Sequence, residues 1–93
     1  MTLAEYNAFC AALTATSHVV QWGGADVWKV GDKIFAVTSA QGICVKTDSI
    51  ETAGLVIEMG RAIRAPYFHA SWMLVPHGRV PDAELRERIG TSY

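Results

Sequence analysis

The chain has 93 residues, enough for one domain that buries about 60–65% of the surface its unfolded form exposes. A core this thin leaves little room for a deep cleft ringed by a complete catalytic apparatus unless a partner chain helps to build it. The formal net charge of −1 excludes a global attraction to nucleic acid or to an anionic membrane.

Thr2-Leu3-Ala4-Glu5 fits a capping box, with Thr2 at the N-cap and Glu5 reaching back to it. Leu3, Tyr6, Cys10 and Leu13 then recur at helical spacing and predict an amphipathic first helix to about Leu13. Val19, Val20 and Gln21 open a strand region, interrupted at Trp22-Gly23-Gly24, where adjacent glycines allow a bend, a bulge or a close backbone approach. Two β-favouring runs follow, joined by Gly31-Asp32 within Val27 to Ala36. Gly at the first central position suits a type II′ hairpin, whose twist matches that of its strands. That register sets Trp28 opposite Phe35, and Lys29 opposite Ile34 on the other side. Ser39-Ala40-Gln41-Gly42 predicts a looser turn into a strand at Ile43 to Thr47.

Asp48-Ser49-Ile50-Glu51 repeats the capping pattern and starts a second helix. Ile50, Ala53 and Ile57 line one of its faces, and Gly60 is its stop. Arg61 to Ala65 reads as a connecting loop, because Pro66 pushes its predecessor away from helical dihedrals. Phe68 to Val75 is expected to be extended, above all at Trp72-Met73-Leu74-Val75. Pro76-His77-Gly78-Arg79 is a turn, and Pro81 suits the first position of a last helix with Leu85 and Ile89 on one face. The result is a single α+β domain over residues 1–93 in the order α-β-β-β-β-α-β-α, with no repeat or linker.

The central strands place Trp28, Phe35 and Val37 on one sheet face and Val27, Ile34, Ala36 and Val45 on the other. Both faces are apolar, yet two or three short helices comfortably cover only one. Either the second face meets a protein partner or a second copy of the chain, or the last strand and helix wrap far enough to cover it.

Cys10 and Cys44 lie far apart and form no CxxC pair, so they read as reduced, partly buried thiols of a cytosolic protein. No basic-plus-apolar leader and no membrane-spanning run is present, and Leu55-Val56-Ile57 is among the longest strongly aliphatic stretches. The expected compartment is the cytoplasm.

The run His18-Val19-Val20-Gln21-Trp22-Gly23-Gly24-Ala25-Asp26-Val27-Trp28-Lys29-Val30-Gly31-Asp32-Lys33-Ile34-Phe35-Ala36 resembles the MmcQ/YjbR family of small bacterial proteins. Val45-Lys46 agrees with that family, as do Ala65-Pro66-Tyr67 followed by Trp72-Met73-Leu74-Val75, and Glu84-Leu85 leading to Ser92-Tyr93. The resemblance spans nearly the whole chain. It implies a frataxin-like (CyaY-like) α+β fold, an antiparallel sheet with helices packed on one side. It also implies a DNA-binding protein with a double-wing arrangement of β-hairpins, a label with no catalytic residue set attached. Members often continue a little beyond the Ser-Tyr pair, so a shorter last helix or following segment is expected here.

Three functional classes follow from the residues. For DNA binding, the stretch Met59 to Pro81 has no acidic residue but carries Arg61, Arg64 and Arg79 among Tyr67, Phe68, His69, Trp72 and His77. Arginines contact phosphates and aromatics stack on bases. Lys29 and Lys33 bracket the hairpin tip and would give a wing its phosphate contacts. The bland alternative is solvated arginines and core aromatics. Release of only about three to five counterions would make binding to double-stranded DNA weak and salt-sensitive.

The second class is a protein or small-ligand interaction module, resting on the apolar sheet faces and on Trp22 beside its glycines. Its bland alternative is that Trp22 and Trp28 are core. The third class, an enzyme, would draw on His18, Asp26, Cys44, His69 or His77, but none sits in a recognisable motif. His69 and His77 lack the short spacing of zinc ligands. An iron role needs a row of surface carboxylates, and the first helix has only Glu5. The sequence therefore points to a non-enzymatic module without cofactor or metal, with Lys29, Lys33, Arg61, Arg64 and Arg79 as the phosphate contacts.

Overall fold

The computed structural model describes residues 1–93. In chain order the elements are α1 (Leu3–Ala12), β1 (Thr16–Gln21), β2 (Ala25–Val30), β3 (Lys33–Thr38), β4 (Gly42–Lys46), α2 (Ile50–Glu58), β5 (Ile63–Arg64), β6 (Trp72–Pro76) and α3 (Asp82–Ser92). The strands form one six-stranded antiparallel sheet in the order β1-β2-β3-β4-β6-β5. This is the expected α+β arrangement, with one strand more than the sequence predicted. The addition is β5, a two-residue strand inside the Arg61 to Ala65 connection that pairs along the edge of β6.

The helix starts follow local chemistry. Thr2 and Glu5 form the reciprocal capping box, Thr2 Oγ1 accepting from the Glu5 amide and Glu5 Oε1 accepting from the Thr2 amide at 2.8 Å. The two Thr2 contacts hold the Glu5 carboxyl below its usual range, the backbone one more strongly. In α2 the cap is Ser49, whose Oγ accepts from the Thr52 amide, one residue later than the first helix's pattern suggests. The buried stripe of this helix is Ala53 and Val56, with Ile50 exposed and Ile57 only flanking. Gly60, at φ +76°, ends the helix as expected. Pro81 stands at the N-cap of α3, one place before the expected first helical position, and Leu85 and Ile89 are buried.

The β2–β3 hairpin turns at Gly31 with φ +59°, while Asp32 keeps a negative φ, as a type II′ turn requires. Lys29 pairs with Ile34 as predicted, but Trp28 pairs with Ala36 and not with Phe35. Phe35 is the extra residue of a β-bulge between these pairs. The bulge sets Phe35 and Ala36 on the same side, so the face assignment beyond it inverts. Trp28, Phe35, Ala36, Ile43, Val45, Met73 and Val75 share the helix-covered core, whereas Val37 joins Val27, Cys44 and Leu74 on the opposite face.

The helix-side core is closed by Tyr6 and Cys10 of α1, Val56 of α2, and Leu85 and Ile89 of α3. The last helix does not reach the opposite face. The segment between β5 and β6 folds back over it, bringing Ala65 and Phe68 onto Val27, Val37, Cys44, Trp72 and Leu74. Phe68 stacks on Trp72 with ring centroids 4.6 Å apart, and Trp22 meets Phe68 edge-on at 6.5 Å. Both cysteines are buried free thiols, Cys10 in the helix-side core and Cys44 in the other. No helix is long and apolar enough to cross a membrane.

Candidate nucleic-acid interface

Lys29 and Lys33 stand where the sequence places them, on either side of the β2–β3 turn. Lys33 pairs with Val30, which packs into the helix-side core, and Lys29 pairs with Ile34, which packs into the other. The lysines therefore leave the hairpin from opposite faces. Neither has an ion-pair partner in the chain.

The three arginines are engaged in holding the fold. Arg61 pairs through Nη1 with Glu84 of α3, whose other oxygen takes Arg88 Nη2 at 3.2 Å. Arg64 donates to the carbonyls of Ala65 (2.8 Å) and Phe68 (3.0 Å), pinning the segment that covers the second sheet face. Arg79 donates to the Gly60 carbonyl at 2.8 Å, completing the C-terminal end of α2.

The sheet also keeps the two basic groups apart. Lys33 lies on β3 and Lys29 on β2, while Arg64 lies on β5, three and four strands away in the sheet order. At the usual strand spacing this is roughly 14–19 Å. Arg61 and Arg79 gather at the C-terminal end of α2, away from the hairpin tip. The sequence thus identified cations that form two groups and not one continuous patch.

The aromatics divide similarly. Trp28 is core, its Nε1 donating to Asn7 Oδ1 at 2.9 Å, and Trp72 is buried. Trp22 is 62% exposed and Tyr67 is fully exposed, both at positive φ (51° and 70°), conformations that non-glycine residues rarely adopt. The contact of Trp22 with Phe68 joins segments far apart in sequence, and no local pattern announces it.

Of the groups considered for acid-base work, only His18 and Asp26 come together. His18 Nε2 meets Asp26 Oδ1 at 2.7 Å and the imidazole lies on Trp28 at 4.7 Å, because the β1–β2 register pairs His18 with Trp28 and leaves Asp26 on the diagonal. A turn assignment at Trp22-Gly23-Gly24 would have revealed that pair in the sequence. His69 Nδ1 is bound to Ser71 and His77 Nε2 to the Ser39 carbonyl. Burial pushes the Cys44 thiol up to about 11, away from thiolate chemistry. No three His, Cys, Asp or Glu side chains converge as metal ligands.

A search of curated proteins gives no match to this chain. The family model described as YjbR matches residues 11–93, which takes in the whole sheet, α2 and α3. That match includes the hairpin and the Ala65-Pro66-Tyr67 segment on which the resemblance rested, and the chain belongs to the MmcQ/YjbR family.

Proposed function

We propose that this protein is a non-enzymatic DNA-binding module that touches the phosphates of a duplex through the tip of its β2–β3 hairpin. The observation that carries the reading is the charge of the tip. Lys29 and Lys33 flank Gly31-Asp32, project from opposite faces, and are free of intramolecular carboxylate partners. Two such lysines can straddle one strand of the backbone without first breaking an ion pair. Arg61, Arg64 and Arg79 form a second, subordinate group, since each phosphate contact there competes with Glu84 or with a backbone carbonyl. Binding is accordingly weak, indifferent to sequence and steep in salt. The free thiols fit a reducing compartment such as the cytoplasm.

The test is fluorescence anisotropy of a labelled generic duplex at about 50 and 200 mM salt. Micromolar binding at the lower salt that collapses at the higher one is expected, together with its loss in the Lys29→Glu/Lys33→Glu double variant at unchanged melting temperature. Absence of binding at the lower salt overturns the reading, and an unaltered affinity in the double variant removes the hairpin from it.

A second reading, a protein-contact module, is favoured by Tyr67. This side chain is wholly exposed on a backbone of φ +70°, next in sequence to Phe68, which meets the exposed Trp22 edge-on. The apolar sheet face itself is covered, so a partner or a second copy would meet the outer surface of that cover. Sedimentation of the protein at increasing concentration, with Tyr67→Ser as the control, tests the second-copy version.

A further inference from the structure

At the end of the sheet away from the Lys29–Lys33 tip lies an open cleft of about 440 Å³, between the start of α1, the Trp22-Gly23-Gly24 turn and the β3–β4 turn. Its size falls within the range of small-molecule sites. The wall is apolar at Tyr6 and Ile43, the exposed indole of Trp22 stands at its rim, and His77 closes another side.

Besides Thr2, Ser39 and His77, whose side chains are hydrogen-bonded within the chain, two more polar residues line this space. Asp26 and Thr38 line the cleft, yet the residues are only 9% and 7% exposed. They occupy adjoining strands one step beyond the Val27–Val37 pair, which puts them side by side on the same sheet face. Asp26 Oδ1 is taken by His18, but Oδ2 has no hydrogen-bond partner in the chain, and the Thr38 hydroxyl has none either. Neither atom is sealed off from solvent. An acceptor-only carboxylate oxygen next to a hydroxyl that can donate, set in an apolar wall beneath an aromatic rim, is a recognisable combination. It matches a flat ring that offers an N–H donor and an acceptor along one edge.

We propose that the cleft is a binding site for a small nitrogen heterocycle of nucleobase type. The ring N–H or amino group donates to Asp26 Oδ2, a ring nitrogen or carbonyl accepts from Thr38, and Trp22 lies against the ring. The buried carboxylate repels an anion, so any sugar-phosphate portion stays outside the mouth. The site is separate from the hairpin tip and goes beyond duplex binding. The same edge chemistry could be presented by a free nucleoside or by an unpaired base of a single strand.

The experiment is an NMR titration of the full chain with adenosine, with cytidine and with caffeine, a purine of similar size that has no N–H donor. A single-stranded oligodeoxycytidine forms a further arm. Saturable shifts of the Ala25, Asp26 and Thr38 amides with a nucleoside, and none with caffeine, are expected. Trp22→Ala, a change at an exposed turn, should weaken that binding about tenfold without altering the fold. Asp26→Asn should do the same by removing the charged acceptor. Lys29→Glu/Lys33→Glu should leave nucleoside binding intact, which separates this site from the duplex contact. Tighter binding of the oligonucleotide through the same amides would identify a single strand as the source, and preference for the nucleoside would identify a free ligand. Equal response to caffeine, no saturable shift with any probe, or unchanged affinity in Trp22→Ala overturns the proposal.

Discussion

Ser92 donates its hydroxyl proton to the carbonyl oxygen of Phe35 at 2.6 Å, joining the last turn of α3 to the bulged residue of β3. The Ser92 hydroxyl oxygen in turn accepts from the Lys46 amide at 2.8 Å. The β3–β4 ladder stops at the Ala36–Val45 pair, and the Ser92 hydroxyl takes the place of the next backbone contact. Tyr93 adds an edge-on contact with Phe35 at 5.3 Å and a hydrogen bond to the Thr14 carbonyl. A single side chain therefore satisfies two strand groups that the bulge has pulled apart.

Ser92→Ala should lower stability by about 1–2 kcal/mol, because it leaves the Phe35 carbonyl and the Lys46 amide without partners. Denaturant unfolding measures the loss. Faster hydrogen exchange at Lys46, with little change in the β1–β2 amides, would locate it. Equal exchange at Lys46 in both proteins would contradict this role.

Two glycines should respond in opposite directions to the same substitution. A Cβ at Gly42 would lie 2.1 Å from the Val75 carbonyl oxygen, with backbone on every near side. Gly42→Ala should therefore cost about 3 kcal/mol or more. A Cβ at Gly54, inside α2, meets nothing within 4 Å, and Gly54→Ala should stabilise by about 0.5–1 kcal/mol. Thermal melts of the two variants suffice to compare them.

Charge reversal at Arg61 and Arg64 tests folding more than DNA contact. Arg61→Glu sets a like charge beside Glu84, and loss of the Arg64 guanidinium frees the Ala65 and Phe68 carbonyls. The double variant should lose about 1–3 kcal/mol and expose the second sheet face, read as increased dye binding and faster alkylation of Cys44. Unchanged stability would show that the two arginines are dispensable to the fold.

The pH profile should weaken at the alkaline end. Burial pushes the Cys10 thiol up to about 12 and Cys44 up to about 11, against an ordinary value of 9.0 in the unfolded chain, and burial raises the Tyr6 phenol as well. Groups with raised folded values keep their contribution below the unfolded value and lose it as pH rises toward the folded one. Stability should thus be level up to about pH 9 and fall between about 9 and 12. Cys10→Ser/Cys44→Ser, scaled to its own neutral-pH stability, should show a shallower decline.

Tyr67 holds a left-handed backbone with no burial in return. Tyr67→Gly should therefore stabilise the isolated chain by about 0.5–1 kcal/mol while weakening any contact made through the aromatic ring. A destabilised Tyr67→Gly would indicate that the ring supports the fold.

The legible parts of this fold are those fixed by neighbours in sequence. The Thr2–Glu5 capping box, the Gly31 turn, the Gly60 stop and the Leu85–Ile89 stripe all depend on residues within one or two turns of each other. The bulge at Phe35 was not legible, because strict alternation reads equally well with or without an extra residue. One undetected residue exchanged Ala36 and Val37 between faces. The cover over the second face was missed for a different reason. Pro66, Phe68 and Trp72 look like a strand approach, and only the long-range stacking of Phe68 on Trp72 folds the segment back. Among candidate site residues, Lys29 and Lys33 were readable from the turn, whereas the intramolecular duties of Arg61, Arg64 and Arg79 depend on Glu84 and Gly60, which only the tertiary fold brings near. Asp26 and Thr38 belong together only through strand pairing.

With Cys10 sealed beneath the helices and Cys44 beneath the Phe68 cover, the sheet separates the thiols into two compartments. Each thiol can be alkylated only when its own side opens, so the two modification rates time two distinct local opening events in one molecule. If detachment of α1 and lifting of the Phe68 cover are independent, those rates will differ and respond to different substitutions. If the domain opens only as a whole, they will converge on one global unfolding rate.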